Sequence, residues 1–314
     1  MKILVTGAAG FIGSHMAENL SKNGHHVLGI DNFDSYYKRT LKEKNRDAVV
    51  ASGAQFIEGD LLDNLKVLLP DDIEVIYHFA AQPGLSSQTS FDLYERNNIL
   101  ATQNLLNWSL SLGETFKMFI NISTSSVYGK EAIGNEENRA KPISDYGVTK
   151  LAAEQFVMAA HRIDKIPACS IRLYSVYGPR ERPEKLYTKL IKAILEEKPF
   201  TLFEGSKEHE RSFSYVGDIV QGLSTILQEL YKCNGQIINI GNDQVYSTAM
   251  GISLVEELLG KKTKIVTQES RVGDQLKTAA NINKARRILK YKPSTSFREG
   301  LQAQIDWYKE NFCE

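Results

Sequence analysis

The sequence predicts an α/β fold, a doubly wound parallel sheet followed by a smaller C-terminal substrate-binding lobe. Three observations carry that expectation. Short apolar runs alternate with amphipathic stretches through the first 173 residues, the strand–helix rhythm that builds a parallel sheet. The first run, Lys2–Thr6, passes directly into Gly7-Ala8-Ala9-Gly10-Phe11-Ile12-Gly13, a glycine turn that opens a helix. Tyr146 and Lys150 stand four residues apart in a stretch of helical character, so a phenol and an ammonium share one face.

Each element follows in order. The glycines after the first strand permit a tight turn and bring backbone N–H groups toward a pyrophosphate, at the start of a helix expected to run to about Lys22. Residues 26–30 read as the second strand and deliver Asp31 to its end, where a carboxylate accepts both hydroxyls of an adenosine ribose and repels a 2′-phosphate. NAD is therefore favoured over NADP, although Lys38 and Arg39 shortly afterwards are basic residues that could meet a phosphate. Gln55–Glu58, residues 74–79, residues 118–122 and Ala168–Leu173 continue the sheet, with long helices over 92–112 and 146–161 packed on it. Beyond Leu173 the pattern is broken by Pro179, Pro183 and Pro199, yet 218–230 reads as a helix and 236–240 as one more buried strand. The expected division is a cofactor domain over 1–173, rejoined around 216–241, and a lobe over 174–314.

Composition narrows the class. Lys plus Arg equals Asp plus Glu at 38 each, so no net field recruits nucleic acid or an anionic membrane, and an anionic ligand must be held by local groups. Three cysteines, Cys169, Cys233 and Cys313, make no metal or redox pair and suit a reducing cytosol; the six histidines lack metal-ligand spacing, and His78 reads as a satisfied core histidine. Residues 1–13 lack a basic leader, and no run approaches the ~20 apolar residues of a membrane span. A cytoplasmic protein without bound metal is expected.

A tyrosine normally titrates near ~10, and a fixed cation beside it favours the phenolate, so Tyr146 next to Lys150 could take a proton from an alcohol. Strand 118–122 leads into Ser123-Thr124-Ser125-Ser126-Val127-Tyr128-Gly129, a run of hydroxyls at the sheet edge where ligands of this fold class sit.

Together these motifs resemble the extended short-chain dehydrogenase/reductase family across essentially the whole chain, and within it the nucleotide-sugar epimerases, especially UDP-glucuronate 4-epimerases. The supporting stretches are Asp31-Asn32-Phe33-Asp34-Ser35-Tyr36-Tyr37, Ala80-Ala81-Gln82-Pro83-Gly84, Tyr177-Gly178-Pro179-Arg180-Glu181-Arg182-Pro183 and Gly273-Asp274. The resemblance implies a Rossmann domain that holds NAD through Gly7, Gly10, Phe11, Ile12, Gly13, Asp31, Asn32, Asp60, Leu61, Phe79, Ala80, Ala81, Asn98, Tyr146, Lys150, Tyr174 and Val176. It implies Thr124, Tyr146 and Lys150 as catalytic residues. A UDP-sugar would meet Gly84, Thr124, Ser125, Ser126, Ser175, Arg182, Thr201, Phe203, Arg211 and Arg271; Asp218 and Asp274 would orient arginines or contact a ribose, a plain surface role being equally open. It also implies a homodimer through a four-helix bundle of 92–112 and 146–161, and a role in making polysaccharide precursors.

Departures from the family pattern select the reaction. The related 4,6-dehydratases carry an Asp-Glu pair directly after the threonine, because removing water needs a general acid and base; here Ser125 and Ser126 stand there. The related decarboxylases present Glu at the second position, again replaced by Ser126. What remains is C4 oxidation, turning of the ketone and re-reduction on the other face. If the sugar is a glucuronate, Thr124, Ser125, Ser126 and Ser175, the last replacing a common asparagine, could fix the carboxylate and prevent loss of carbon dioxide. Competing readings are epimerisation of UDP-glucose or UDP-N-acetylglucosamine, decarboxylation to UDP-xylose, or a non-catalytic NAD-dependent sensor. Intact Thr124, Tyr146 and Lys150 weigh against the sensor.

Overall fold

The computed structural model describes residues 1–84, 89–269 and 275–313. Seven parallel strands form the central sheet: β1 (Lys2–Thr6), β2 (His26–Asp31), β3 (Gln55–Glu58), β4 (Val75–His78), β5 (Met118–Thr124), β6 (Ala168–Leu173) and β7 (Ile237–Ile240). They lie in the order β7-β6-β5-β4-β1-β2-β3, so the sheet reverses direction of winding between β1 and β4. β5 runs two residues further than its apolar pattern, carrying Ser123 and Thr124 into the ladder opposite Arg172 and Leu173. Strands buried on both faces explain the near-continuous Val, Ile and Leu in β1, β4 and β5.

Apolar clusters fill both faces of the sheet, one around Ile3, Tyr77, Ile171 and Ile238, the other around Leu4, Ile76, Leu105 and Phe119. A third cluster sits apart from the sheet, built from Tyr177, Tyr187, Phe213, Phe297, Leu301 and their neighbours. Its rings pack edge to face and stacked at centroid separations of 4.9–6.3 Å, within the range that favours aromatic pairs. The C-terminal segment contributes to the sheet side as well: besides β7, Ala280, Ile282, Ala285, Ile288 and Leu289 pack on the first cluster.

The helix expected over 92–112 is not uniform. It runs as an α-turn (Phe91–Tyr94), a π-helix (Glu95–Leu100), an α-helix (Ala101–Ser109) and a 3₁₀ stretch (Leu110–Thr115). The extra residue of a π turn shifts the facing of side chains, and here the buried Asn98 accepts from Gln82 N at 2.7 Å and donates to Thr149 Oγ1 at 2.9 Å. Such an irregularity leaves no trace in hydrophobic periodicity. The helix expected over 218–230 is likewise split, into Val216–Ser224, a 3₁₀ turn Thr225–Gln228 and Leu230–Cys233.

Candidate active site

The carboxyl ends of β1, β2, β4, β5 and β6 open onto one cleft of about 570 Å³, which extends to Phe200–Phe203 and Arg211. Its floor begins at Gly7, whose φ of +68° and whose absent Cβ, which would sit 2.8 Å from Ala80 N, leave no room for another residue. The turn leads into the helix Phe11–Lys22, which starts at Gly10 with no side-chain cap and no acid in its first turn, so its end presents positive amide dipoles to the cleft. Asp31 closes the turn from the side: its Oδ2 accepts from Ala9 N at 3.1 Å and its Oδ1 from Phe33 N at 2.8 Å. Asp60 accepts from Asn32 Nδ2 at 2.9 Å and pairs with Arg96 at 2.8 Å, and these interactions hold its carboxyl below the usual range against the opposing effect of burial.

The helix Asp145–Ile163 brings the phenol and the ammonium in from the opposite side. Ser144 caps it by accepting from Gly147 N at 3.1 Å, and Asp145 in the first turn suits the dipole. Gly147 lets it approach the hydroxyl turn, since a Cβ there would lie 2.9 Å from Ser126 O. Thr124, at the end of β5, caps that turn, its Oγ1 accepting from Ser126 N at 3.2 Å and donating to Ser126 Oγ at 3.3 Å. A hydrogen bond joins Tyr146 to Thr124. Burial is the largest influence on the phenol and raises it above its usual range; the Arg182 guanidinium and the Thr124 bond oppose that shift. Arg182 is thus a cation acting on Tyr146 that the sequence argument, which invoked Lys150, did not name. The Lys150 ammonium, itself buried, is pushed down to about 8, with Glu154 the carboxylate that opposes the fall.

Of the described residues singled out for cofactor, sugar and catalysis, all line this cleft except Asn98. Asn98 lies beneath it, its amide engaged with Gln82 and Thr149, and Asn97 beside it faces the cleft. Arg271 and Asp274 fall outside the described residues. Arg211 lines the cleft while its guanidinium bonds the carbonyls of Glu210, Gln275 and Leu276. Asp218 is elsewhere: buried, it accepts from Thr295 N and Oγ1, both at 3.1 Å. His78 has no exposure, sits between Thr6 Oγ1 at 2.8 Å and Thr102 Oγ1 at 2.9 Å, and is pushed down to about 3 by burial, a neutral core histidine.

Sequence reasoning missed several lining groups. Glu181, pushed up to about 7 by burial, accepts from Gln304 Nε2 at 2.7 Å and so ties the segment carrying Arg182 to the C-terminal helix. Gln275 donates to Ser125 O at 3.2 Å and Gly129 O at 2.8 Å, bracing the hydroxyl turn from far along the chain. Tyr94, although not lining, donates to Gly84 O at 2.8 Å and packs near the Tyr146 ring. Glu181 stands in the Tyr177–Pro183 stretch, but its bond to Gln304, like the reach of Gln275 and Tyr94, is non-local, so only the fold reveals these contacts.

The cleft suits a polar dinucleotide and a second polar ligand. Buried polar atoms on its lining, among them Gln82 Nε2, Ser123 Oγ and Arg182 Nη1, have no hydrogen-bond partner among the described residues. Native proteins rarely leave such atoms unpaired. Together with the uncapped helix start and the Asp31 carboxylate, they match the donors and acceptors that a dinucleotide and a sugar present.

Comparison with known proteins places this geometry. Residues 4–304 match the family model described as GDP-mannose 4,6 dehydratase. UDP-glucuronic acid 4-epimerase from Bacillus cereus, solved in complex with UDP-glucuronic acid and NAD, is 40% identical, superposes with a TM-score of 0.94, and is matched over 99% of this chain and 100% of that one. An uncharacterised UDP-glucose epimerase of Bacillus subtilis is 38% identical, with 97% of both chains covered. UDP-glucuronate 4-epimerase 2 of Arabidopsis thaliana is 33% identical over 98% of this chain and 76% of its own length.

Proposed function

We propose, for a chain that belongs to the GDP-mannose 4,6-dehydratase family within the extended short-chain dehydrogenases/reductases, the NAD-dependent 4-epimerisation of UDP-glucuronate to UDP-galacturonate. The single observation that carries the reading is the joint placement of Thr124, Tyr146 and Lys150 beside Ser125 and Ser126, in a cleft that also contains the glycine turn. A dehydratase needs an acid and a base where those two serines stand. When bound, NAD supplies reversible redox chemistry at C4, returned within one turnover so that no net oxidation results.

The chain's own groups do the rest. Asp31 accepts the adenosine ribose hydroxyls, the amides at Phe11, Ile12 and Gly13 take the pyrophosphate, and Lys150 meets the nicotinamide ribose. Tyr146 accepts the proton of the 4-hydroxyl and returns it to the same oxygen once the ketone has turned its other face to the cofactor side, with Thr124 holding the 4-oxygen in reach. Arg182 favours the phenolate form and faces the anionic substrate. Thr201 and Phe203 on the lobe's edge pass the uracil, and Arg211 frames the diphosphate end. Because cofactor loss would strand a ketone, purified protein is expected to carry NAD(H), read by chromatography of the denatured supernatant. Protein that is cofactor-free and active only with NADP contradicts the reading.

A 4-ketone beside a glucuronate carboxylate makes a β-keto acid, which loses carbon dioxide when the carboxylate bond aligns with the carbonyl π-system. Ser125, Ser126 and Ser175 hold the carboxylate out of that alignment by neutral hydrogen bonds. Wild-type enzyme is expected to give UDP-galacturonate almost exclusively, while the Ser125→Ala, Ser126→Ala, Ser175→Ala variant diverts part of its turnovers to a UDP-4-keto-pentose detectable by NMR. A pentose-dominated wild-type mixture would make the chain a decarboxylase; brisk turnover of UDP-glucose with none of UDP-glucuronate would remove the carboxylate argument.

The assembly is a homodimer. Val148, Phe156 and Ile163 are exposed along one side of the Asp145–Ile163 helix, and Phe91, Leu93 and Leu100 are exposed on the neighbouring helical segment, a pattern suited to a second copy in a four-helix bundle. Sedimentation of a single monomeric species would contradict it. A cytosolic location, supplying a polysaccharide precursor, fits three cysteines that form no disulfide among the described residues. Among those residues no helix is long and apolar enough to cross a membrane.

A further inference from the structure

The helix Arg39–Ala51 reaches the dinucleotide turn with two side chains three residues apart. Asn45 Nδ2 donates to Ala9 O at 2.9 Å, and Lys42 Nζ donates to Asp34 O at 2.8 Å while standing 3.9 Å from Asp31 Oδ1. Lys42 is only 6% exposed, lies over the Tyr37 ring at 4.9 Å, and lines the cleft. A lysine in this stretch reads in sequence as a solvated helix charge. Burial instead makes it the inner cation of this corner, and long ammonium side chains are rarely buried without a charged partner. Arg39, the cation the sequence offered for a phosphate, is turned outward: two bonds to Glu58, at 2.9 and 2.7 Å, and one to Glu43 at 2.9 Å engage it at the surface.

We infer that the Lys42–Asp31 pair sets cofactor choice: Lys42 holds the Asp31 carboxylate for the ribose diol of NAD, and Asp31 in turn prevents the same ammonium from serving a 2′-phosphate. The inference deepens the NAD reading above and rests on it. Asp31 has two backbone donors and one near cation, and burial raises its carboxyl, an effect that Lys42 opposes more than any other group. Removing Lys42 therefore weakens the acceptor that the diol needs. Removing the carboxylate leaves a buried ammonium facing the cleft without its acidic partner, beside the position where NADP carries its extra dianion. Asp34 bonds Lys42 through its backbone carbonyl, so that anchor survives either change.

The test measures the dinucleotide carried by purified protein and the affinity of stripped protein for NAD and NADP by calorimetry. Lys42→Gln and Lys42→Met are each expected to weaken NAD by ~10-fold or more, the equivalent of one charge-assisted interaction. Asp31→Ser is expected to weaken NAD and to tighten NADP by a similar factor, and adding Lys42→Gln should abolish that NADP gain. Thermal melts of the stripped proteins verify folding; if a Lys42→Met protein does not fold, the Lys42→Gln comparison decides. Lys42 variants that hold NAD as tightly as wild type, or an NADP gain in Asp31→Ser that persists without Lys42, would overturn the assignment. Wild-type protein that carries NADP, or binds neither dinucleotide, would instead overturn the NAD reading itself.

Discussion

Tyr146→Phe lowers kcat by ~100-fold or more while leaving UDP-sugar affinity near wild type, because it removes the group that takes the 4-hydroxyl proton and nothing else. The phenylalanine ring keeps the contact with Tyr94, whose centroid lies 6.4 Å away, and leaves the Ser144 cap and Gly147 approach untouched. What disappears is the oxygen bonded to Thr124 and favoured as phenolate by Arg182. Equilibrium binding of UDP-glucuronate together with single-turnover rates separates the two effects. Near-native turnover would mean another group takes the proton.

The parts legible in sequence are those whose physics is local. β1 with its glycine turn, Asp31 at the end of β2, and the four-residue step from Tyr146 to Lys150 each combine period, turn chemistry and residue type in one short window, and the structure brings them to one cleft. What stayed hidden is non-local. The π turn at Glu95–Leu100 is a backbone adjustment that lets Asn98 bond Gln82 and Thr149, so the residue facing the cleft is Asn97, one position away from the expectation. Lys42 carries no mark distinguishing a buried ammonium from a surface one, and Arg182, 32 residues from Lys150 in the chain, influences the phenol only because the segment after β6 folds back over it. Charge effects of this kind depend on distances that only the tertiary fold sets.

Arg172→Met destabilises the fold by about 3–5 kcal/mol, the cost of leaving a buried carboxylate without its partner. Glu154 has no exposed surface and lies four residues beyond Lys150 on the same helix; Arg172 on β6 forks onto it, Nε to Oε2 at 3.0 Å and Nη2 to Oε1 at 2.6 Å. The guanidinium also lies 4.8 Å over the Tyr128 ring, whose hydroxyl donates to Asn239 on β7 at 2.8 Å. One ion pair thus joins the helix of Lys150, the turn that follows Thr124, and the last strand of the sheet. Breaking it from the arginine side strands the charge, whereas Glu154→Leu with Arg172→Met removes both charges and is expected to recover most of the lost stability, since a buried pair is worth little more than a packed apolar isostere. Urea unfolding of the two proteins is the measurement. If the single variant stays within about 1 kcal/mol of wild type, the range of an exposed pair, the buried-pair argument fails. The double variant carries a second consequence at the site: without the Glu154 carboxylate, the one group opposing its fall, the Lys150 ammonium drops below about 8 and loses its charge at lower pH. The alkaline limb of the activity profile should therefore move toward neutrality in that variant, a shift that a purely structural role for Glu154 would not produce.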